Sequence, residues 1–441
     1  MKKNTFSYLF LVFTLIILLF SFDLIAQEEE AGKSGKVEAS YLNEVGKLAK
    51  STKILTAFQS IVAQNQRNRE ELIMLTEIPA PPFMETKRGV QFAAMLKEAG
   101  ADSVWTDKVG NVMALRKGKN SKRCVAFDAH LDTVFPIDTD VKVKIKGDTL
   151  YAPGIGDDTR GLVIVLSVLR ALEQAKIETQ SDVLFIGSVG EEGLGDLRGV
   201  KYLFSDQSRK IDSWISIDGG DVGRVNTMGL GSNRYRITFK GPGGHSWGQF
   251  GLANPQHALG SAIHYFSKVA DKFTRSGART SYNVGRIGGG TSVNSIAFES
   301  WMEVDMRSEL PENLVQIDSL LKSCVQQALK EHNAMKRMGP ALTVDFKKIG
   351  YRPSGELPQT LPLIQRAMAA TVAFGIPPFV SRGSTNSNIP ISLGIPAVTL
   401  GRGGKAGNAH SLNEWWYDEE GYKAIQVALL TLVAEAGPVN P

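Results

Sequence analysis

Residues 183–193 read VLFIGSVGEEG, an unbroken apolar run that stops on Glu191, Glu192 and Gly193. A short continuous run of this kind, bounded by glycine, predicts a strand buried on both faces. Two acids at the end of a buried strand carry a desolvation cost unless a cation or hydrogen bonds offset it. The pattern recurs along the chain. VAFDAHLDTV carries His130 and Asp132, WISIDGGD stops on Asp218, and NAHSLNE holds His410. GIGDDTRG places Asp157 and Asp158 directly before the apolar stretch Gly161–Ala175. In open α/β sheets, sites form just outside the carboxyl ends of the strands, where these acids are expected.

Strand-like runs at Asn111–Arg116, Cys124–Asp128, Val183–Val189 and Trp214–Ile217 alternate with helical stretches such as Thr86–Ala99 and Gly161–Ala175. This alternation predicts an α/β fold with a mostly parallel sheet. The pattern changes after Asp218. A strand at Tyr235–Lys240, a helix at Pro255–Phe273, strands at Ser281–Ile287 and Ala297–Arg307, a helix at Pro311–His332 and a strand at Leu342–Lys347 give the order β-α-β-β-α-β. That is a ferredoxin-like α+β unit, read as an inserted domain over 226–350. A helix near Leu361–Phe374 and a strand near Ala397–Leu400 resume the first pattern. The main domain is therefore discontinuous, over 51–225 and 351–441, and the polar residues 27–50 read as a flexible lead-in.

The 441 residues are 43% hydrophobic and 22% charged, a globular composition. A formal net charge of +5 is small for this length, and no dense basic run points to nucleic acid. At the N-terminus, Lys2 and Lys3 precede the apolar run Phe6–Phe20. This layout predicts a signal peptide cleaved near Ala26, with export to the periplasm or the medium and no stable membrane partner. The two cysteines, Cys124 and Cys324, fit no metal spacing and no disulfide framework.

Each acid taken alone has an ordinary reading. Asp157 and Asp158 suit a helix N-cap, and Glu191-Glu192 suits a solvated turn. Together, two histidines and several carboxylates at successive strand ends make a ligand set that zinc accepts. The glycine runs Gly288–Gly290 and Gly241–Gly244 lack the Lys-Ser/Thr of a phosphate loop, and no G-x-S-x-G elbow occurs.

HLDTV, GIGDD before an apolar helix, GEEG, the single Asp218 and HSLNE together resemble the co-catalytic zinc metallopeptidases. That family includes carboxypeptidase G, aminoacylase, succinyl-diaminopimelate desuccinylase and peptidase T. The resemblance covers roughly residues 60–436, and IPAPPF and RGSTNSNIPISLGIPAVTLG feel nearest to peptidase T-like members. Where many relatives carry a Lys and a second Gly after the aspartates, this chain has Thr159 and Arg160.

The resemblance implies two zinc ions, with cobalt or manganese as substitutes. It implies that His130 and Asp218 hold one ion, that Glu192 and His410 hold the other, and that Asp157 bridges them. Asp132 would orient the His130 imidazole, as metal-bound histidines generally require. Glu191 would be the general base, a role that suits a free carboxylate beside a metal-clamped water. From the inserted domain, His245 in GPGGHSWGQ would reach the scissile carbonyl oxygen, and in relatives it does so from the neighbouring subunit of a dimer. Asn294 in TSVNSIA and Arg307 in DMRS match positions that bind substrate.

The expected activity is hydrolysis of an amide bond at the end of a short peptide by an exopeptidase that forms a homodimer through the inserted lid. An N-acyl amino acid deacylase would use the same metals and base. A non-catalytic peptide-binding protein would have no need of Glu191.

Overall fold

The computed structural model describes residues 33–206 and 209–440. The expected signal peptide, residues 1–26, lies outside the described residues. Among these, no helix is long and apolar enough to cross a membrane.

A ten-stranded mixed sheet forms the spine of the main domain. Its middle four strands, in the order Ala397–Leu400, Ser213–Ile217, Cys124–His130 and Asp182–Ser188, are all parallel. The margins add antiparallel pairings, including Val112–Arg116 on Asp182–Ser188 and Lys33–Ser34 on Phe379–Gly383. Every residue of the middle four strands is buried, which is why their sequences read as continuous apolar runs. The helix Gly161–Gln174 packs on this sheet with Gly161–Leu172 all buried. The helix Tyr422–Ala436 packs against it with Ala424–Ala436 all buried. The register pairs His130 with Ser188, so these two strand ends come level at one edge. Glu191 and Glu192 follow Ser188 closely, and Asp218 follows Ile217.

The inserted domain has the sheet order Thr280–Gly289, Glu299–Ser308, Gly231–Lys240 and Thr343–Arg352, all antiparallel. The helices Pro255–Thr274 and Pro311–Met335 cover one face. Both start with Pro in the first turn, where a missing N–H does no harm, and Asn254 caps the first by accepting from Gln256 N at 2.9 Å. Tyr235, Ile237, Phe239, Met302, Val304, Met306, Phe266 and Ile317 form this domain's own core. Arg234, Arg236, Glu303, Asp305 and Arg307 alternate onto the other face and pair with one another. The order matches the ferredoxin-like expectation. The strand Arg224–Gly229 belongs to the central sheet, however, so the inserted unit starts at Gly231 and ends at Arg352.

The lead-in expected at 27–50 is corrected over its described part. Lys33–Ser34 pairs with Phe379–Val380, and Ala39–Ala49 is a helix. Val45 and Leu48 are buried, Tyr41 is partly buried, and the helix packs against Pro362–Ala373. Those three apolar residues fall at helical spacing within a polar stretch, enough to anchor the segment.

Candidate metal centre

Three triads of ligand-type side chains meet at the carboxyl edge of the central sheet. In His130, Asp157 and Asp218, in Asp157, Glu192 and His410, and in His130, Glu191 and Glu192, one nitrogen or oxygen of each residue lies within 4.8 Å of the others. Asp157 belongs to the first two. Its Oδ1 lies 3.3 Å from His130 Nε2 and its Oδ2 lies 3.2 Å from His410 Nε2. His410 Nε2 is also 2.9 Å from Glu192 Oε1. His130 Nε2 is buried and makes no hydrogen bond of acceptable geometry, although its ring is held by Nδ1 at 3.0 Å from the Asp132 carbonyl oxygen. A buried, oriented imidazole nitrogen facing carboxylate oxygens without a hydrogen bond is what a metal ligand requires, so the residues fit a divalent ion.

Asp157 and Asp158 turn to different partners. The two are joined by a cis peptide bond, directly before the helix Gly161–Gln174. Asp158 turns inward: it is wholly buried, and its Oδ2 accepts the backbone N–H of His130 at 3.1 Å. Asp157 faces the histidines. Glu414 fixes this loop by accepting the N–H groups of Gly154 and Gly156, both at 2.8 Å, and that of Asp157 at 2.9 Å. Arg402 Nη1 lies 3.1 Å from Asp157 Oδ1, 3.5 Å from Asp158 Oδ1 and 4.0 Å from Asp218 Oδ1.

The Asp132 carboxylate differs from its expected role. It accepts from Glu191 N at 3.0 Å and Glu192 N at 2.7 Å, while its nearest approach to His130 Nδ1 is 3.8 Å. The imidazole is oriented by the Asp132 main chain; the side chain holds the two glutamates. The turn into those glutamates needs Gly190, at φ +67°, where a Cβ would also collide with Arg198.

Glu191 is buried and ion-paired, with Oε1 2.7 Å from Arg352 Nη1. Burial pushes its carboxyl up to about 8, although Arg352 opposes the shift. Burial likewise raises Asp158 and Asp218. Burial also works against charge on Asp157, but Arg402 and the two histidines hold it well below the ordinary carboxylate range. The hydrogen bonds to Asp157 and Glu192 push His410 up to about 10. Burial disfavours the cationic form of His130, yet Asp157 and the surrounding carboxylates lift it well above its usual value. Opposed charge gathered this densely is the pattern that functional sites favour.

The inserted-domain residues do not touch this cluster. His245 is exposed, and its Nδ1 accepts from Trp247 N at 3.2 Å and Gly248 N at 3.3 Å. A neutral ring then carries its proton on Nε2. His245 pairs with Ser295, and Ser246 N donates to the Asn294 carbonyl at 2.9 Å, so His245 and Asn294 lie together. Arg307 is separate, bound to Asp305 at 2.8 Å. Asp305 also holds Arg234, which donates to the Gly193 carbonyl at 3.2 Å. Arg307 therefore sits three contacts from the glutamate loop.

Arg352, Arg402 and a role for Glu414 were not evident from sequence. Arg402 follows the strand Ala397–Leu400 closely, so the strand-end rule that marked the acids could have marked it. Nothing local to Arg352 signals its partner.

The chain matches the model of peptidase family M20/M25/M40 over residues 126–434. It is 25% identical over 396 residues to protein YqjE of Bacillus subtilis, covering 85% of this chain and 100% of that protein. Its fold is similar to aminopeptidase PepT from Bacillus cereus, with a TM-score of 0.66 and 21% identity over 84% of this chain and 98% of that one. It is also similar to the YxeP protein of Bacillus subtilis, described as a dinuclear metal-binding peptidase of the M20 family, with a TM-score of 0.61 and 18% identity over 85% of this chain and 99% of that one. The chain belongs to peptidase family M20/M25/M40 and is a hydrolase acting on peptide bonds.

Proposed function

We propose that the protein is a di-zinc exopeptidase acting on short peptides, with Glu191 as the general base. The observation that carries this reading is Asp157, whose two oxygens face His130 on one side and His410 on the other. A carboxylate shared in this way is what two closely spaced cations need between them. His130 and Asp218 would hold one ion, Glu192 and His410 the other, and two imidazoles with carboxylates suit zinc. Bound there, the metals supply Lewis-acid polarisation of the scissile carbonyl and lower the pKa of a shared water.

The chain's own residues do the rest. Asp132 fixes the backbone of the Glu191-Glu192 pair, so Glu192 turns to His410 while the Glu191 carboxylate is hydrogen-bonded to Arg352. Glu191 takes a proton from the attacking water and hands it to the leaving amine. His245, with its N–H on Nε2, donates to the developing oxyanion from a second subunit. Asn294, beside His245, and Arg307 bind the substrate's polar groups, the guanidinium suiting a terminal carboxylate. The inserted domain is the lid and the dimer contact, since its edge strand Thr280–Gly289 is paired on one side only among the described residues. Residues 1–26 direct export and are removed.

The test is a panel of di- and tripeptides with free or blocked ends, run beside N-acyl amino acids, on zinc-loaded protein. Hydrolysis of short peptides, lost by about 10²–10⁴ in Glu191→Gln with both metals kept, is the expected result. Turnover confined to N-acyl amino acids would make the enzyme a deacylase. Full activity in metal-loaded Glu191→Gln would remove Glu191 from the mechanism.

A further inference from the structure

The Gly190–Asp196 loop, which carries Glu191 and Glu192, is tied to the inserted domain rather than only to its own. Arg352, the last residue of that domain's closing strand, places Nη1 2.7 Å from Glu191 Oε1 and donates from Nη2 to the Glu191 carbonyl. Both side chains are 6% exposed, so the pair is screened little by solvent. The same Nη1 donates to the Ser384 carbonyl at 3.0 Å, anchoring the guanidinium on the main domain. Three more contacts join the loop region to the first and last inserted strands. Arg234 Nη1 donates to the Gly193 carbonyl at 3.2 Å, Tyr351 N donates to Asp196 Oδ1 at 2.7 Å, and Lys201 Nζ donates to the Tyr351 carbonyl at 2.7 Å.

We propose that Arg352 is the positioning residue for Glu191, so that the seating of the inserted domain orders the proton acceptor. This inference rests on the reading of Glu191 as the base. The geometry gives the reason. Arg352 is the one side chain that hydrogen-bonds the Glu191 carboxylate among the described residues, and a carboxylate swings freely about its side-chain torsions unless something holds it. Arg352 grips both the side chain and the main chain of the same residue, which fixes the carboxylate relative to its own backbone. Residues 351 and 352 are also where the chain leaves the inserted domain for the central one. A rigid movement of the inserted sheet therefore carries Arg352 with it, and Glu191 is held only when that sheet is seated. A lysine keeps the charge but offers one point of contact in place of the planar fork, so it should hold the carboxylate without the backbone clamp.

The experiment uses the full chain with Arg352→Met and Arg352→Lys, beside Glu191→Gln and the double variant Glu191→Gln/Arg352→Met. Hydrogen exchange of the 190–196 segment, read by mass spectrometry on zinc-loaded protein, is the measurement that does not depend on turnover. Exchange in that segment should rise at least tenfold in Arg352→Met and less in Arg352→Lys, with two equivalents of metal retained. On a hydrolysed dipeptide, kcat should fall about 10–100-fold in Arg352→Met with KM within threefold, and Arg352→Lys should recover part of the loss. In the Glu191→Gln background, Arg352→Met should add no further loss in kcat. Unchanged exchange at 190–196 in Arg352→Met would overturn the proposal, as would a rise in KM with kcat intact, which would make Arg352 a substrate contact. If Glu191→Gln retains full turnover, the base reading fails by itself, and the exchange result still decides whether Arg352 positions the loop.

Discussion

The Glu414 carboxylate accepts the backbone N–H of Asp157 at 2.9 Å, and so fixes the residue that lies between the two histidines. The same oxygen takes Gly156 N at 2.8 Å, and its other oxygen takes Gly154 N at 2.8 Å. Glu414 is 1% exposed, so its removal would leave three buried amides without their carboxylate partner. It follows His410 by a few residues, and one segment thus supplies a candidate ligand and the support for the carboxylate between the two histidines.

Glu414→Ala should therefore weaken metal binding without removing a ligand. Supporting groups around metal sites are worth about 10–100-fold in affinity. Glu414→Gln keeps one acceptor oxygen and should fall between the alanine variant and the parent. Competition titration with a zinc chelator measures this. Parental affinity in Glu414→Ala would mean that the loop holds its shape unaided.

Asp157 and His410 should fail differently. Asp157→Ala removes the shared carboxylate and should lower occupancy at both sites, because it takes a ligand and a negative charge from each of two neighbouring cations. His410→Ala removes a ligand from one triad only, so about one equivalent should remain after dialysis. Elemental mass spectrometry on the purified variants gives the counts. Two full equivalents in Asp157→Ala would shift the bridge to another residue.

The sequence made the centre legible because its cost is written locally. An acid after a fully buried strand has few inexpensive structural explanations, and His130, Glu191, Glu192 and Asp218 all stand there. The middle of the sheet was legible for the same reason, whereas its antiparallel margins depend on pairings such as Ala397–Leu400 with Arg224–Gly229 that no local pattern encodes. Arg352 was illegible in kind: its partner lies 161 residues away, and their meeting depends on how two domains dock. The carboxylate of Asp132 was assigned to His130 from the family pattern, but its oxygens reach the Glu191 and Glu192 amides because the turn at Gly190 brings those N–H groups over it.

Asp128 gives a pH-dependent stability prediction outside the ligand set. It is 0% exposed in the Cys124–His130 strand, where Oδ2 accepts from Ser216 Oγ at 3.0 Å and Asn386 Nδ2 at 2.9 Å, and Oδ1 has no partner. Burial pushes its carboxyl up to about 6 from the ordinary 3.8, against the pull of those donors. A folded value above the unfolded one contributes stability that is present below pH 3.8 and lost as pH rises through about 6. Asp128→Asn keeps an acceptor oxygen and removes the charge. It should stabilise the metal-free protein by on the order of 2–3 kcal/mol at pH 7.5, with the gain vanishing near pH 4. Urea unfolding at the two pH values decides it. Equal destabilisation at both would show that the network needs the carboxylate itself.

His245 provides the test of the two-subunit site. It is exposed, touches none of the candidate ligands, and presents Nε2 as the donor because Nδ1 is taken up by the Trp247 and Gly248 amides. A donor that reaches the metals of its own chain would have to cross from the inserted domain to the central sheet. In the proposed dimer a twin paired through the edge strands would supply the donor, and two-fold pairing would complete both sites at once. His245→Ala should lower kcat by about 10²–10³, the usual worth of an oxyanion donor, and leave metal content unchanged. Mixing it with Glu191→Gln should then restore activity, because one site in each mixed dimer combines an intact Glu191 with an intact His245. Random exchange of equal amounts places half of the molecules in mixed dimers, each with one working site in two, so the recovered rate should approach a quarter of the parental value. Subunit exchange shown by native mass spectrometry with no recovered rate would place His245 within its own chain's chemistry or outside the reaction altogether.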